Sequence, residues 1–156
     1  VKLNLGGIAS DLALVHAFIG LGMLLGTTIV YGIGSRVPHG LLFLVGLFID
    51  GASFCFYYFV ENMTQLNFLS FLHGIGIPFL IISRVSIMQK HIPEKLLGRI
   101  FAIISISIVS MTAVSSGMIG IMAEFFDIKT IFLIFGILAS ACGVAGLMHP
   151  KIKYLN

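Results

Sequence analysis

Ionisable side chains that could handle a proton lie inside long apolar stretches of this sequence. Asp50 is central in one stretch, and His16 and His73 lie within two others. A charged carboxylate at the bilayer centre costs at least ~2.5–3.5 kcal/mol on insertion scales, unless it is paired, protonated or hydrated. An imidazole changes its charge near neutral pH in water. These residues are candidates for proton coupling. The alternatives are a structural pair or neutral acid for Asp50 and a neutral, hydrogen-bonded role for each histidine.

His73 is the predicted partner of Asp50. The stretches that contain them are joined by the short polar segment 61–65, which predicts a hairpin of neighbouring helices. Because a helix rises about 1.5 Å per residue, the two side chains are expected at membrane depths that differ by no more than about 5 Å. We therefore expect Asp50 to face the protein rather than lipid.

The composition indicates which solvent surrounds the chain. Hydrophobic residues make up 58% of it and charged residues only 10%, whereas a soluble domain carries about 25% charged residues. Lipid is therefore the expected partner of most of its surface. The net charge of +3 comes from basic residues in short segments rather than in a patch, so no nucleic acid partner is expected.

The sequence lacks the common signatures of enzymes. The chain has no phosphate-binding glycine loop with its lysine, no His-Glu-x-x-His, no paired-cysteine metal element and no nucleophile elbow. We therefore predict a protein that is not an enzyme, with no cofactor, metal ligand or catalytic residue.

The apolar stretches predict the fold. Each is long enough to cross a hydrocarbon core of about 30 Å as a helix. They are also about twice as long as a membrane-spanning strand and lack its alternation. Residues 1–156 are therefore predicted to form one all-α membrane bundle of five helices, with spans over residues 12–34, 41–60, 66–88, 100–123 and 130–148.

The distribution of basic residues orients these spans, because cytoplasmic segments carry an excess of Lys and Arg. The expected location is the cell membrane, with the N-terminus of the chain outside and the C-terminus cytoplasmic. The residues predicted to be outside are Lys2 and Lys129, and those predicted to be cytoplasmic are Arg36, Lys90, Lys95, Arg99, Lys151 and Lys153.

Small residues four apart predict where helices pack closely. Gly22 with Gly26, and Ser116 with Gly120, each lie on one helical face. In lipid such faces let backbones approach, although glycine is also simply common in membrane helices. Within the third span, Pro78 removes a backbone hydrogen bond, so with Gly74 and Gly76 it forms either a hinge or a packed kink.

Several segments resemble the C-terminal half of a major facilitator superfamily transporter, especially the branch that exports macrolides and other drugs. Residues 73–78 read His-Gly-Ile-Gly-Ile-Pro, and residues 89–101 read Gln-Lys-His-Ile-Pro-Glu-Lys-Leu-Leu-Gly-Arg-Ile-Phe. A Ser-rich helix then ends in Ser-Gly-Met-Ile-Gly at 116–120, and Glu-Phe-Phe-Asp follows at 124–127. The resemblance covers nearly the whole chain. It implies helices eight to twelve of a twelve-helix fold.

The resemblance also implies roles for particular residues. A substrate cavity would be lined by the first, third and fourth spans, around His16, His73, Ser105 and Thr112, with the span of Asp50 peripheral. Arg36 would lie in the second copy of a cytoplasmic loop element, although the usual aspartate is missing. Gly98 and Arg99 would fix the cytoplasmic loop between the third and fourth spans.

The predicted function is therefore part of a secondary transporter, with proton-coupled efflux of a small amphipathic compound by alternating access. The expected partners are the lipid bilayer, the small-molecule substrate and a missing N-terminal half of the same protein, so this chain alone should not transport. One alternative is a non-transporting membrane subunit or scaffold of a multi-chain complex. A second alternative, a membrane-embedded enzyme, is disfavoured because no two catalytic groups recur at a common depth.

Overall fold

The computed structural model describes residues 9–155, which form helices joined by short turns, without a strand. The helices are α1 (Ala9–Ile33), α2 (His39–Tyr57), α3 (Met63–His91), α4 (Glu94–Phe125), α5 (Ile128–Leu147) and the short α6 (Pro150–Lys153). The first five are long and apolar enough to cross a membrane. The predicted all-α, multi-pass architecture is confirmed at this level. Lys2 lies outside the described residues.

The connection between α3 and α4 differs from the prediction. Residues 89–99 were expected to form a cytoplasmic loop, but only Ile92 and Pro93 separate the two helices. Gly98 and Arg99 therefore lie in the first turns of α4. The prediction took the end of the apolar stretch as the end of the helix. The Gln, Lys, Glu and Leu residues of this segment are all good helix formers, so the helices continue beyond their apolar parts.

The α2–α3 turn is closed by reciprocal capping. The side-chain oxygen of Asn62 accepts a hydrogen bond from the backbone N–H of Gln65 at 2.9 Å. The side chain of Gln65 in turn accepts one from the backbone N–H of Glu61 at 2.9 Å. This capping box satisfies donors that the start of a helix leaves free. It fixes the point where α3 begins and hence the register of the α2–α3 hairpin.

The helices pack in the order α1, α3, α2, α5. The most extensive interfaces are those of α3 with α1, α2 with α5, and α2 with α3. Consecutive helices are therefore not always neighbours, because α3 separates α1 from α2. The short α6 lies against α2 and α5, and the carbonyl of Leu155 accepts a hydrogen bond from the backbone N–H of Gly40 at 2.8 Å.

Glycines on α1 make the predicted close contact with another helix. A Cβ atom at Gly22 would collide with the carbonyl oxygen of Phe71, and one at Gly26 would collide with that of Ile75. Gly74 of α3 is packed in the same way against the backbone of Ile19. Both residues predicted on α1 therefore lie at a backbone-to-backbone interface with α3, as small residues permit in lipid.

The interface between α2 and α5 uses the same device. A Cβ at Gly136 would lie 2.6 Å from the backbone nitrogen of Cys55, and one at Gly143 would lie 3.1 Å from that of Phe48. Gly51 of α2 faces Ser140 of α5. Residues 136, 140 and 143 follow one helical face, and this face sets the distance between the two helices.

Helix α4 is the exception, because none of its residues is buried. Ser116 is exposed, and nothing within residues 9–155 lies within 4 Å of a Cβ built at Gly120. Neither residue therefore packs against another helix within residues 9–155, and a packing role for this face of α4 stays a prediction. Small residues at a spacing of four make close approach possible, but they do not specify which helix approaches.

Substitution of Gly26 tests the close contact of α1 with α3. We expect Gly26→Leu to lower the free energy of unfolding by at least about 1–3 kcal/mol, since the new side chain has to displace backbone. The matched control is Gly120→Leu, which meets open space and should change stability by no more than about 0.5 kcal/mol. Equilibrium unfolding in mixed micelles measures both variants. Equal tolerance of leucine at the two positions would contradict the packing described.

Candidate functional site

The structure brings Asp50 and His73 together. Nδ1 of His73 lies 3.2 Å from a carboxylate oxygen of Asp50, and the two side chains are 16% and 22% exposed respectively. The predicted contact is confirmed, and Asp50 is turned towards α3. The two atoms are at ion-pair distance but are not aligned for a hydrogen bond, so Nδ1 has no aligned partner within the described chain. A role in proton coupling stays a prediction.

Two glycines allow α2 and α3 to approach closely enough for this contact. A Cβ at Gly76 would lie 2.9 Å from the Ile49 side chain, and one at Gly46 would lie 2.7 Å from that of Phe79. Gly76 is in the helical turn that follows His73, and Ile49 directly precedes Asp50. The close approach of α2 and α3 is therefore next to the Asp50–His73 pair. A larger residue at Gly46 or Gly76 would separate the two ionisable groups.

Aromatic side chains pack beside the imidazole of His73. The ring of Phe54 meets that of His73 edge-on, with centroids 5.3 Å apart. Phe54 also stacks on Phe132 of α5 at 5.6 Å and 15°. Tyr57 lies 5.7 Å from Phe132, and its hydroxyl is 3.2 Å from that of Ser70. The ring-centroid separations are within the 4.5–7 Å range of favourable ring pairs.

These rings line a cavity of about 330 Å³, which we call the aromatic cavity. Its walls come from α1, α2, α3 and α5. Its volume lies at the lower end of the range for small-molecule sites, about 300–1,000 Å³. Residues that contribute to its lining include Val15, Phe54, Tyr57, Ser70, His73 and Phe132.

The other predicted cavity residues lie elsewhere. His16 is exposed on α1, and its Nδ1 is 2.8 Å from the carbonyl oxygen of Leu12. Ser105 and Thr112 are exposed on α4, and the hydroxyl of Thr112 bonds to the carbonyl of Ile108 at 2.8 Å. The structure therefore does not gather them with His73. Within residues 9–155, α2 supplies the cavity wall that was expected from the fourth span, because α4 is not packed into the bundle.

The aromatic residues were missed, although the sequence carried a signal for them. Asp50, Phe54 and Tyr57 are four and then three residues apart, so they share one face of α2. Ser70 and His73 share a face of α3 in the same way. Phe132 could not be found by such counting, because its place depends on the packing of α5 against α2.

A lysine lies at one end of the aromatic cavity. The Nζ of Lys129 donates a hydrogen bond to the carbonyl of Val60 at 2.8 Å, and both residues belong to the cavity lining. This bond joins the turn after α2 to the start of α5. No carboxylate among residues 9–155 pairs with Lys129. Two of its three N–H donors therefore remain for another acceptor.

The residues predicted to form a hinge are packed between neighbours. Gly74 contacts α1, Gly76 contacts α2, and Pro78 is buried. Helix α3 continues through Pro78 from Met63 to His91. The glycines thus have a packing role, and a hinge motion at this place stays a prediction. Arg36 lies in the turn between α1 and α2, as predicted.

Comparison of the chain with protein-family models, curated proteins and solved structures gave no match. The family resemblance seen in the sequence therefore stays a prediction. Among the described residues, no group of three or more His, Cys, Asp or Glu side chains is placed to hold a metal ion. The groups available for chemistry are the Asp50–His73 pair and the polar groups of the adjoining cavity.

A double-mutant cycle tests whether the pair interacts energetically. We expect Asp50→Asn and His73→Gln to show a coupling of about 1 kcal/mol, within the range measured for polar pairs between membrane helices. Unfolding in mixed micelles provides the free energies. In the control cycle, Asp50→Asn is combined with Ser107→Ala, because the Ser107 hydroxyl bonds only to its own helix at 2.9 Å. A coupling free energy as small as in this control would show that the Asp50–His73 contact does not contribute to stability.

Proposed function

We propose that this chain is part of a secondary active transporter that exports a small amphipathic compound in exchange for protons. In this proposal it forms helices eight to twelve of a major facilitator superfamily protein, in the cell membrane with its C-terminus cytoplasmic. The missing N-terminal half would complete the transport path. The resemblance of residues 73–78 and 89–101 and the five apolar helices support the proposal.

The observation that carries the proposal is the Asp50–His73 contact beside the aromatic cavity. A carboxylate and an imidazole together can hold one proton as an ion pair or as a neutral pair. Gain or loss of a further proton changes the net charge of the pair. Such a change is costly in a low-dielectric environment unless water, a ligand or a conformational change compensates for it. Proton transfer at this pair can therefore be linked to occupancy of the adjoining cavity.

Helix α4 supports the requirement for a partner. Alternating access needs two halves that move against each other around a central site. Ser105 and Thr112, with the small residues further along α4, are exposed in the described structure. In the proposed transporter this helix faces the other half. Contacts across that interface would place the exposed hydroxyls beside the transport path.

The second candidate is a non-transporting subunit of a membrane complex, and the same observation on α4 favours it. A scaffold would use α4 as a permanent interface. The two functions differ in what they require of Asp50. A transporter needs the carboxylate to exchange protons during each cycle, whereas a scaffold needs only the packing around it.

Efflux measurements test the proposed function. Cells that produce the chain with its complementing half should accumulate less of an exported amphipathic dye than control cells, and an uncoupler should remove the difference. We expect Asp50→Asn to raise accumulation to the level of cells without the protein. Glu124→Gln, which neutralises an exposed acid near the end of α4, should leave efflux unchanged. Vesicles that contain only this chain should show no transport.

Normal efflux by the Asp50→Asn protein would contradict the proposed coupling. Saturable, uncoupler-sensitive transport by vesicles with this chain alone would contradict the need for a second half. Loss of complex assembly in a variant, with no measurable efflux by the parent protein, would favour the scaffold. Membrane abundance of each variant is measured in parallel, so that a defect in folding is distinguished from one in transport.

A further inference from the structure

The aromatic cavity has the size of a small ring compound. A dry cavity of about 150 Å³ lined by apolar side chains takes up benzene, and the cavity here is about 330 Å³. One substituted ring or two fused rings would fill it. Its walls include the Phe54–Phe132 stack and Tyr57, which lies 5.7 Å from Phe132. Flat apolar ligands gain ring contacts on such walls.

The charged groups that line this cavity are of one sign. Lys129 lies among the lining residues, with no acidic partner in the described structure and with N–H donors to spare. His73 is another lining residue, and when it is protonated its charge is balanced by Asp50 at 3.2 Å, so Lys129 is the lining cation without a counter-charge among residues 9–155. No Asp or Glu of residues 9–155 is among the lining residues, because Asp50 contacts His73 without reaching the lining itself. The cavity therefore complements an anion.

We propose that the aromatic cavity binds a small aromatic carboxylate, with its ring among Phe54, Tyr57 and Phe132 and its carboxylate on Lys129. The inference rests on the proposed function, since it names the substrate class of that transporter. The chain supplies both halves of the recognition: an apolar slot for the ring and a cation close to it. A carboxylate on an ammonium forms charge-assisted hydrogen bonds, which are about twice as strong as neutral ones.

Titration of 2-naphthoate into lipid vesicles that contain the chain tests the inference. The chain has no Trp, so the fluorescence of the naphthyl probe is followed with little protein background. Empty vesicles correct for partition into lipid. The neutral analogue 2-naphthamide and the cation 2-naphthylmethylammonium have similar ring systems. We expect the carboxylate to bind most tightly and the cation most weakly.

Variants of Lys129 distinguish binding of the carboxylate from binding of the apolar ring. Lys129→Met should weaken naphthoate binding about tenfold, the loss expected for one hydrogen bond to a charged group. It should leave naphthamide binding nearly unchanged. This unchanged naphthamide binding shows that the loss in the Met variant does not come from unfolding, and Lys129→Arg, which keeps the charge and the donors, should retain naphthoate binding. The matched control is Lys95→Met, which removes an exposed lysine in α4.

Equal binding of the three probes, or unchanged binding of naphthoate by Lys129→Met, would overturn the inference. So would tighter binding of the cation with loss of that binding in Asp50→Asn. Failure of this inference can be distinguished from failure of the proposed function. Lys129-dependent binding of naphthoate without any Asp50-dependent efflux would support the site and reject the transporter. Asp50-dependent efflux of another compound with no preference for naphthoate would reject the carboxylate site alone.

Discussion

Close packing at glycines on both sides of α3 is the constraint on which the rest of the structure depends. Gly74 lies against the backbone of α1, and Gly76 lies against Ile49 of α2. In lipid there is no hydrophobic drive that pushes helices together, so the absence of side chains at these positions determines which helices meet and how closely. His73 directly precedes the first of these glycines. Its approach to Asp50 is a consequence of that packing.

Polar side chains with partners in the described chain include two groups. Some donate a hydrogen bond within their own helix, as Thr112 does to the carbonyl of Ile108. Others make contacts between segments of the bundle, namely the Tyr57–Ser70 and Lys129–Val60 hydrogen bonds and the Asp50–His73 pair. The second group joins α2 to α3 and α5 around the aromatic cavity. Tyr57, Ser70, His73 and Lys129 of this group also line the aromatic cavity and are therefore available to a ligand there.

Hydropathy predicted the spans because lipid requires long apolar helices, and counting of depth predicted the Asp50–His73 contact because a short turn fixes the hairpin. The small-residue face of α1 was also found from spacing. The same reasoning also named Gly120, which meets no other helix within residues 9–155, since a pattern indicates that a face can pack but not what packs on it. Phe132 was missed for a related reason. Its contact with Phe54 depends on which helices are neighbours, and that is decided by the whole fold.

The central claim is that a carboxylate and an imidazole meet between α2 and α3 within the membrane. Solid-state NMR in lipid tests it directly, through the distance between ¹⁵N-labelled Nδ1 of His73 and the ¹³C-labelled carboxyl carbon of Asp50. Loss of the signal in His73→Gln provides the assignment. The 3.2 Å contact of Nδ1 with the carboxylate oxygen and a C–O bond of about 1.2 Å predict a distance below about 4.5 Å. A distance beyond about 6 Å, too long for an ion pair of these two groups, would contradict the account.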